Sequence, residues 1–145
     1  MSQWVIDQIG RIDAEAQRGE LLMSRAEAAT PAMFDRLRKA VKADTATYNT
    51  LARGTVTDRV SHPNGHLFQR AQFPRLELLL TLGKTNRISI DLEFQESSSL
   101  SSERSTREVV ILSGPGQDEL YYVLEGRKHA TAEEVSKAIL QNILR

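Results

Sequence analysis

The amino-acid sequence predicts an α+β fold with helices at its N-terminal end, a mainly antiparallel sheet of four to six strands, and a C-terminal helix. Three successive patterns along the chain support this prediction. Apolar residues recur every three or four positions up to about residue 53, alternate with polar residues between 55 and 125, and return to helical spacing after residue 131. Because helices and sheets each bury one face, we expect the helices to pack on one face of the sheet.

The length and composition predict one domain. The chain has 145 residues, of which 40% are hydrophobic and 26% charged, and a chain of this length can bury a core without disulfides or a structural metal. We therefore expect residues 1–145 to form a single α+β domain. Its parts are a helical region at 1–53, an antiparallel sheet at 55–125 and a C-terminal helix at 131–145.

Net charge and cysteine content argue against several classes of function. Nineteen basic and nineteen acidic residues give a formal net charge of zero, which disfavours binding to nucleic acid by phosphate neutralisation. The sequence has no cysteine, which excludes thiol nucleophiles, zinc fingers and disulfides. The N-terminal sequence lacks the pattern of a secretory signal, and the longest apolar stretch, 76–82, is too short to cross a bilayer. We expect a cytoplasmic protein.

Two helices are predicted before residue 53. Thr30-Pro31 is typical of a helix start, because a threonine can cap the helix and a proline is tolerated in its first turn. So short a link predicts that the two helices fold back on each other. The first helix has a thin apolar stripe: Val5, Ile9, Ile12, Ala16, Gly19, Met23 and Ala26. The second has a stripe of Phe34, Leu37, Val41, Asp44, Tyr48 and Leu51.

The sheet is predicted as three hairpins followed by a helix. Asn64-Gly65 favours a tight turn between 55–61 and 66–73, and two further pairs of alternating segments follow. The serine-rich segment 96–105 is expected to be a flexible loop. The sequence from Thr131 to Glu134 fits a capping box at the start of the last helix. On the last hairpin, the residues assigned to the core face are Val110, Leu112, Leu120, Tyr122 and Leu124.

A homodimer is predicted from apolar residues outside that core. Trp4 and Val5 begin a helix whose thin apolar stripe resembles a coiled-coil seam. The second face of the predicted sheet carries more apolar residues than a face exposed to solvent normally does. The alternative is that the 55–73 hairpin or the first helix covers that face within one chain. The residues assigned to the second face are Leu79, Val109, Ile111, Tyr121 and Val123.

A basic patch on the second predicted helix could bind anions. Its cations are Arg36, Arg38, Lys39 and Lys42, whereas residues 1–30 carry more acids than bases. Opposite charges on consecutive helices favour a helix pair, within one chain or between two copies. Binding to an anionic lipid or a nucleic acid is the alternative for this patch.

No catalytic, cofactor or metal-binding residue is predicted. His62 and His66 could share a metal with Asp58, but exposed turn histidines are the favoured interpretation. The carboxylates Glu77, Asp91 and Glu93 are expected on a solvated sheet face, balanced by arginines. The sequence therefore predicts a non-enzymatic domain that binds a protein or a small ligand. A small enzyme and a weak binder of anionic lipid or nucleic acid are the alternatives.

Overall fold

The computed structural model describes residues 2–51, 55–61, 64–116 and 119–144, and it has one long helix, a seven-stranded sheet and a short helix. The predicted α+β class is confirmed. The strand order follows the sequence, and each strand is antiparallel to the next. Seven strands exceed the predicted range because a short strand follows the third hairpin. The elements are α1 (Gln3–Leu51), β1 (Thr57–Ser61), β2 (Gly65–Arg70), β3 (Arg75–Leu82), β4 (Arg87–Gln95), β5 (Glu103–Ser113), β6 (Leu120–Leu124), β7 (Arg127–His129) and α2 (Ala132–Leu140).

The prediction of two N-terminal helices is wrong, because α1 runs without interruption through Pro31. The Thr30 hydroxyl donates a 2.7 Å hydrogen bond to the carbonyl of Ala26 one turn earlier, so it does not cap a new helix. A proline inside a helix costs about 3 kcal/mol. Burial of Phe34 and Leu37, which are nearly or fully enclosed, contributes about 1.5–3 kcal/mol each and outweighs that cost.

The core lies between one face of the sheet and the two helices. From Ala26 onward, α1 packs against α2 and against strands β3, β4 and β5. Ser136 on α2 donates a 2.6 Å hydrogen bond to Asp44 on α1, which fixes the two helices to each other. One half of the predicted capping box is present, since the Glu134 amide donates to the Thr131 hydroxyl, whereas the Glu134 carboxylate accepts from the amide of Ala130 rather than that of Thr131. The fully enclosed large side chains are Tyr122, Phe68, Leu37, Leu78, Leu80, Ile88, Ile90, Ile111, Ile139, Val41, Val109 and Val135.

The face assignment of β5 is wrong by one residue. Val109 pairs with Leu124 and Ile111 pairs with Tyr122, so Val109 and Ile111 lie in the core. Val110 and Leu112 point to the opposite face, where Leu112 is 37% exposed. A shift of one residue exchanges the two faces of a strand.

The buried Asn86 fixes the register of β5. Its backbone carbonyl accepts a 2.8 Å hydrogen bond from the Ile111 amide, and its side-chain amide donates a 2.9 Å bond to the Ile111 carbonyl. These two bonds hold Ile111 at one position beside the turn between β3 and β4. Ile111 therefore lies over the core regardless of the apolar character of its neighbours.

The second face of the sheet carries neither described helix. Leu79, Tyr121 and Val123 lie there and are half-buried. The 57–70 hairpin extends the edge of the sheet as β1 and β2, so it does not cover this face. The loop between β4 and β5 is shorter than the predicted 96–105 segment, because residues 103–105 belong to β5. No helix within the described ranges is long and apolar enough to span a membrane.

Candidate functional site

The first part of α1 extends beyond the rest of the molecule. We call residues 3–25 the arm, and the sheet, α2 and residues 26–51 the body. Every residue of the arm is exposed or half-buried, and Ala26 is the first buried residue of the helix. At 1.5 Å per residue the arm is about 34 Å long. A substantial helix thus projects into solvent.

The arm exposes large apolar side chains. Trp4 is 71% exposed, and five others are between 45% and 58% exposed. Most of the stability of a helix comes from packing of its apolar face, and Gly10 and Gly19 lower the helix propensity of the arm. An exposed apolar surface of this kind is typical of a site of interaction with a protein or a membrane. The five others are Ile6, Ile9, Ile12, Leu21 and Met23.

The apolar residues of the arm form a stripe that continues into the core. We call Val5, Ile9, Ile12, Ala16, Gly19 and Met23 the arm stripe. The same spacing of three and four residues continues through positions that are all buried in the body: Ala26, Thr30, Met33, Leu37 and Ala40. At 100° per residue, the arm stripe and the buried face of α1 point within about 30° of each other. One side of one helix is therefore covered by the body along half its length and exposed along the other half.

The arm is attached to the body at Arg25. The Arg25 guanidinium donates a 3.2 Å hydrogen bond to the carbonyl of Gly116, in the turn between β5 and β6. Further along, the Tyr122 hydroxyl donates a 2.7 Å bond to the carbonyl of Met33. These contacts fix the direction in which the arm leaves the sheet.

The predicted self-association residues are divided among three places. Trp4 and Val5 lie on the arm, and Leu79, Tyr121 and Val123 lie on the second face of the sheet. Val109 and Ile111 are enclosed in the core and are not accessible for a contact between copies. The sequence contained a signal for one continuous stripe, namely the unbroken spacing of three and four residues across Thr30-Pro31, but the new helix start predicted at Thr30-Pro31 divided it in two.

The predicted anion patch is largely balanced by nearby carboxylates. Asp35 contacts Arg38, and one of its oxygens lies 2.8 Å from the Lys39 ammonium. Hydrogen bonds from Lys39 and from Arg38 hold the pKa of the Asp35 carboxyl below its usual value. Lys42 lies 3.7 Å from Asp58, and Arg36 approaches the Met33 sulfur at 4.0 Å. Arg38, Lys39 and Lys42 thus line one cavity together with Asp58, whereas Arg36 lines a different one.

His66 is buried, which corrects its interpretation as an exposed turn residue. Its ring stacks on Phe68 with centroids 4.6 Å apart, and its Nε2 lies 2.7 Å from the Asp58 carboxylate. Both His66 and Asp58 line a cavity of about 310 Å³ that also contacts Lys42. The proposed second histidine, His62, lies outside the described residues. Within the described ranges, no group of three potential metal ligands occurs.

A larger polar cleft lies at the other end of these strands. Its volume is about 610 Å³, and Glu77 and Glu93 stand opposite each other on β3 and β4 along its wall. Glu93 forms a 3.2 Å ion pair with Arg104, and Asp91 accepts a 3.0 Å bond from Thr106. Arg104 thus balances Glu93, whereas Arg87 and Arg107, two of the arginines expected in this role, pair with Glu108 and Glu125 instead. The cleft offers both charges to a polar ligand.

Comparison with known proteins gives no relationship from which a function could be transferred. No family model matches the chain, and neither a curated protein nor a solved structure matches it. The basis for proposing a function is therefore the geometry of the arm and the body.

Proposed function

We propose that this protein is a non-enzymatic protein-binding domain that docks through its arm stripe and self-associates as a homodimer. The observation that supports this proposal is the continuity between the exposed arm stripe and the buried face of the same helix. An amphipathic helix that presents apolar residues at such spacing is a common docking element for another helix. Ile9 is 50% and Ile12 54% exposed, so burying the remaining surface contributes about 1 kcal/mol per side chain.

Binding to an anionic lipid or a nucleic acid is less well supported. The basic patch lies on the body, where Asp35 and Asp58 offset its cations. The arm itself carries three arginines and four acidic residues, so it would not be attracted to an anionic surface. The apolar arm and the neutral net charge are both better explained by a protein partner.

Light scattering with a matched pair of double variants tests the proposal. Ile9→Asp with Ile12→Asp places two charges on the arm stripe. Ala14→Asp with Leu21→Asp adds the same charges to the opposite side of the same helix. We expect wild type and the second variant to have the mass of two chains at micromolar concentration, and the first variant to have the mass of one. A wild-type mass of one chain, or equal behaviour of the two variants, would overturn the proposal.

A further inference from the structure

We propose that the arm stripe is covered by the arm of a second copy running in the opposite direction, so that the two bodies lie at opposite ends of the arm pair. This inference rests on the proposed docking role of the arm. It is carried by three properties of the chain: where the body begins, how large and small residues alternate along the stripe, and which residues flank it.

The position of the body limits the direction of a partner helix. From Ala26 onward, the side of α1 that continues the arm stripe is covered by the sheet and α2. In a parallel pair, each helix would continue past residue 26 into the space that the other copy's body occupies, because packed helices are only about 8–10 Å apart. In an antiparallel pair, each partner helix begins at Gln3 and runs away from the body that it abuts. Only the antiparallel direction avoids this collision.

The arrangement of side chains fits one antiparallel register. When residue numbers on facing positions sum to 28, Ile9 faces Gly19 of the second copy and Ile12 faces Ala16 of the second copy. Val5 then faces Met23 of the second copy, and Gln3 of one helix is level with Arg25 of the other. Every large side chain of the stripe thus meets a smaller or flexible one, as close packing requires. A parallel pair in register would instead place Ala16 against Ala16 and Gly19 against Gly19, leaving a void in the middle of the seam.

The flanks of the stripe are consistent with this register. Trp4 and Leu22 lie on the same flank of the helix, and the register brings Trp4 of one copy beside Leu22 of the other. Glu15 on that flank faces its own counterpart, with Arg11 and Arg18 of both copies one turn away on either side.

On the other flank Asp13 faces Asp13 of the second copy, which is a repulsive pair. Asp13→Asn should therefore tighten the dimer a few-fold, whereas a parallel pair would place Asp13 beside Gln8 and show no change.

Cysteine cross-linking measures the direction, because the natural chain has no thiol. Two variants, Ile9→Cys and Gly19→Cys, are made with different tags. A β-carbon added at Gly19 would have no other atom within 4 Å, so the substitution fits the chain itself. In the proposed register, residues 9 and 19 of different copies face each other, whereas two residues 9 or two residues 19 are about 15 Å apart along the helix. We expect disulfide dimers on oxidation of the mixture and few from either variant alone.

The possible results separate the inference from the proposed function. Efficient cross-linking of Ile9→Cys with itself would establish a parallel pair, and a dimeric mass with no cross-link in any sample would place the contact elsewhere. Either result overturns the antiparallel arrangement. Wild type with the mass of one chain at high micromolar concentration would overturn self-association itself, and the proposed function with it.

Discussion

The hydroxyl of Tyr122 on β6 donates a 2.7 Å hydrogen bond to the backbone carbonyl of Met33 on α1, and both residues are almost fully buried. This bond joins the sheet to the helix two turns after the arm ends. Burial raises the pKa of Tyr122 to about 12. The neutral phenol is therefore favoured in the folded protein relative to the unfolded chain, where the pKa is near 10.

The first prediction concerns alkaline pH. A pKa that is raised on folding contributes stability that is complete below the unfolded value and is lost as pH rises through the folded value. For Tyr122 that loss falls between about pH 10 and pH 12 and amounts to about 2 kcal/mol. Urea unfolding across this range should show a smaller loss for Tyr122→Phe than for wild type. Tyr121→Phe, on the half-buried neighbour, serves as the control and should retain the wild-type slope.

The second prediction tests the register of β5. Val109→Asp places an unpaired charge in the core and should lower the free energy of unfolding by about 4 kcal/mol or more, or prevent folding. Val110→Asp, on the second face, should lower it by less than about 1 kcal/mol. Because the two variants differ only in position, urea unfolding compares the faces directly. Greater damage from Val110→Asp would mean that the register is shifted by one residue.

Elements whose structure depends only on residues close in sequence could be predicted from local patterns. Alternation identified β3 and β4, the Thr131 to Glu134 pattern identified α2, and each needs only neighbours in sequence. The face of β5 could not be obtained in this way. The pair Val109 and Ile111 and the pair Val110 and Leu112 are both apolar. Which pair faces the core is determined by Asn86, which lies about 25 residues away in sequence.

The third prediction concerns the uninterrupted helix. Since Pro31 lies inside α1 and is exposed, Pro31→Ala should raise the free energy of unfolding by about 1–2 kcal/mol, after allowing for the stiffer unfolded chain that proline provides. Thr30→Val should change it by less than about 0.5 kcal/mol, because the Ala26 carbonyl keeps its helical partner. If these residues began a separate helix, loss of the threonine cap would cost about 1 kcal/mol and the proline replacement would give no gain. Thermal unfolding followed by circular dichroism separates these outcomes.

The arm stripe was visible in the sequence, but its exposure was not. Ile9 and Ile12 belong to the same alternation of three and four residues as Met33 and Leu37. That alternation does not show which half of the helix the sheet covers. The sheet has a limited width, and the helix is longer than the surface that can cover it. The second face of the sheet was predicted as a contact for a different reason, because Val109 and Ile111, which lie in the core, were assigned to it.

The last prediction concerns the buried imidazole of His66. Its Nε2 forms a 2.7 Å hydrogen bond with the Asp58 carboxylate, and its Nδ1 is buried without a hydrogen-bond partner among the described residues. Asp58→Ala removes the acceptor, and moving the proton to Nδ1 would not provide another. The variant should therefore lose about 1–3 kcal/mol of stability in urea unfolding. Asp58→Asn keeps an oxygen at the same place and should lose less stability.

Lys42→Ala is the control for the neighbouring charge and should change stability by under about 0.5 kcal/mol, because Lys42 is 61% exposed and 3.7 Å from the carboxylate. A loss for Lys42→Ala as large as that for Asp58→Ala would show that the ion pair, rather than the hydrogen bond to His66, holds β1 in place.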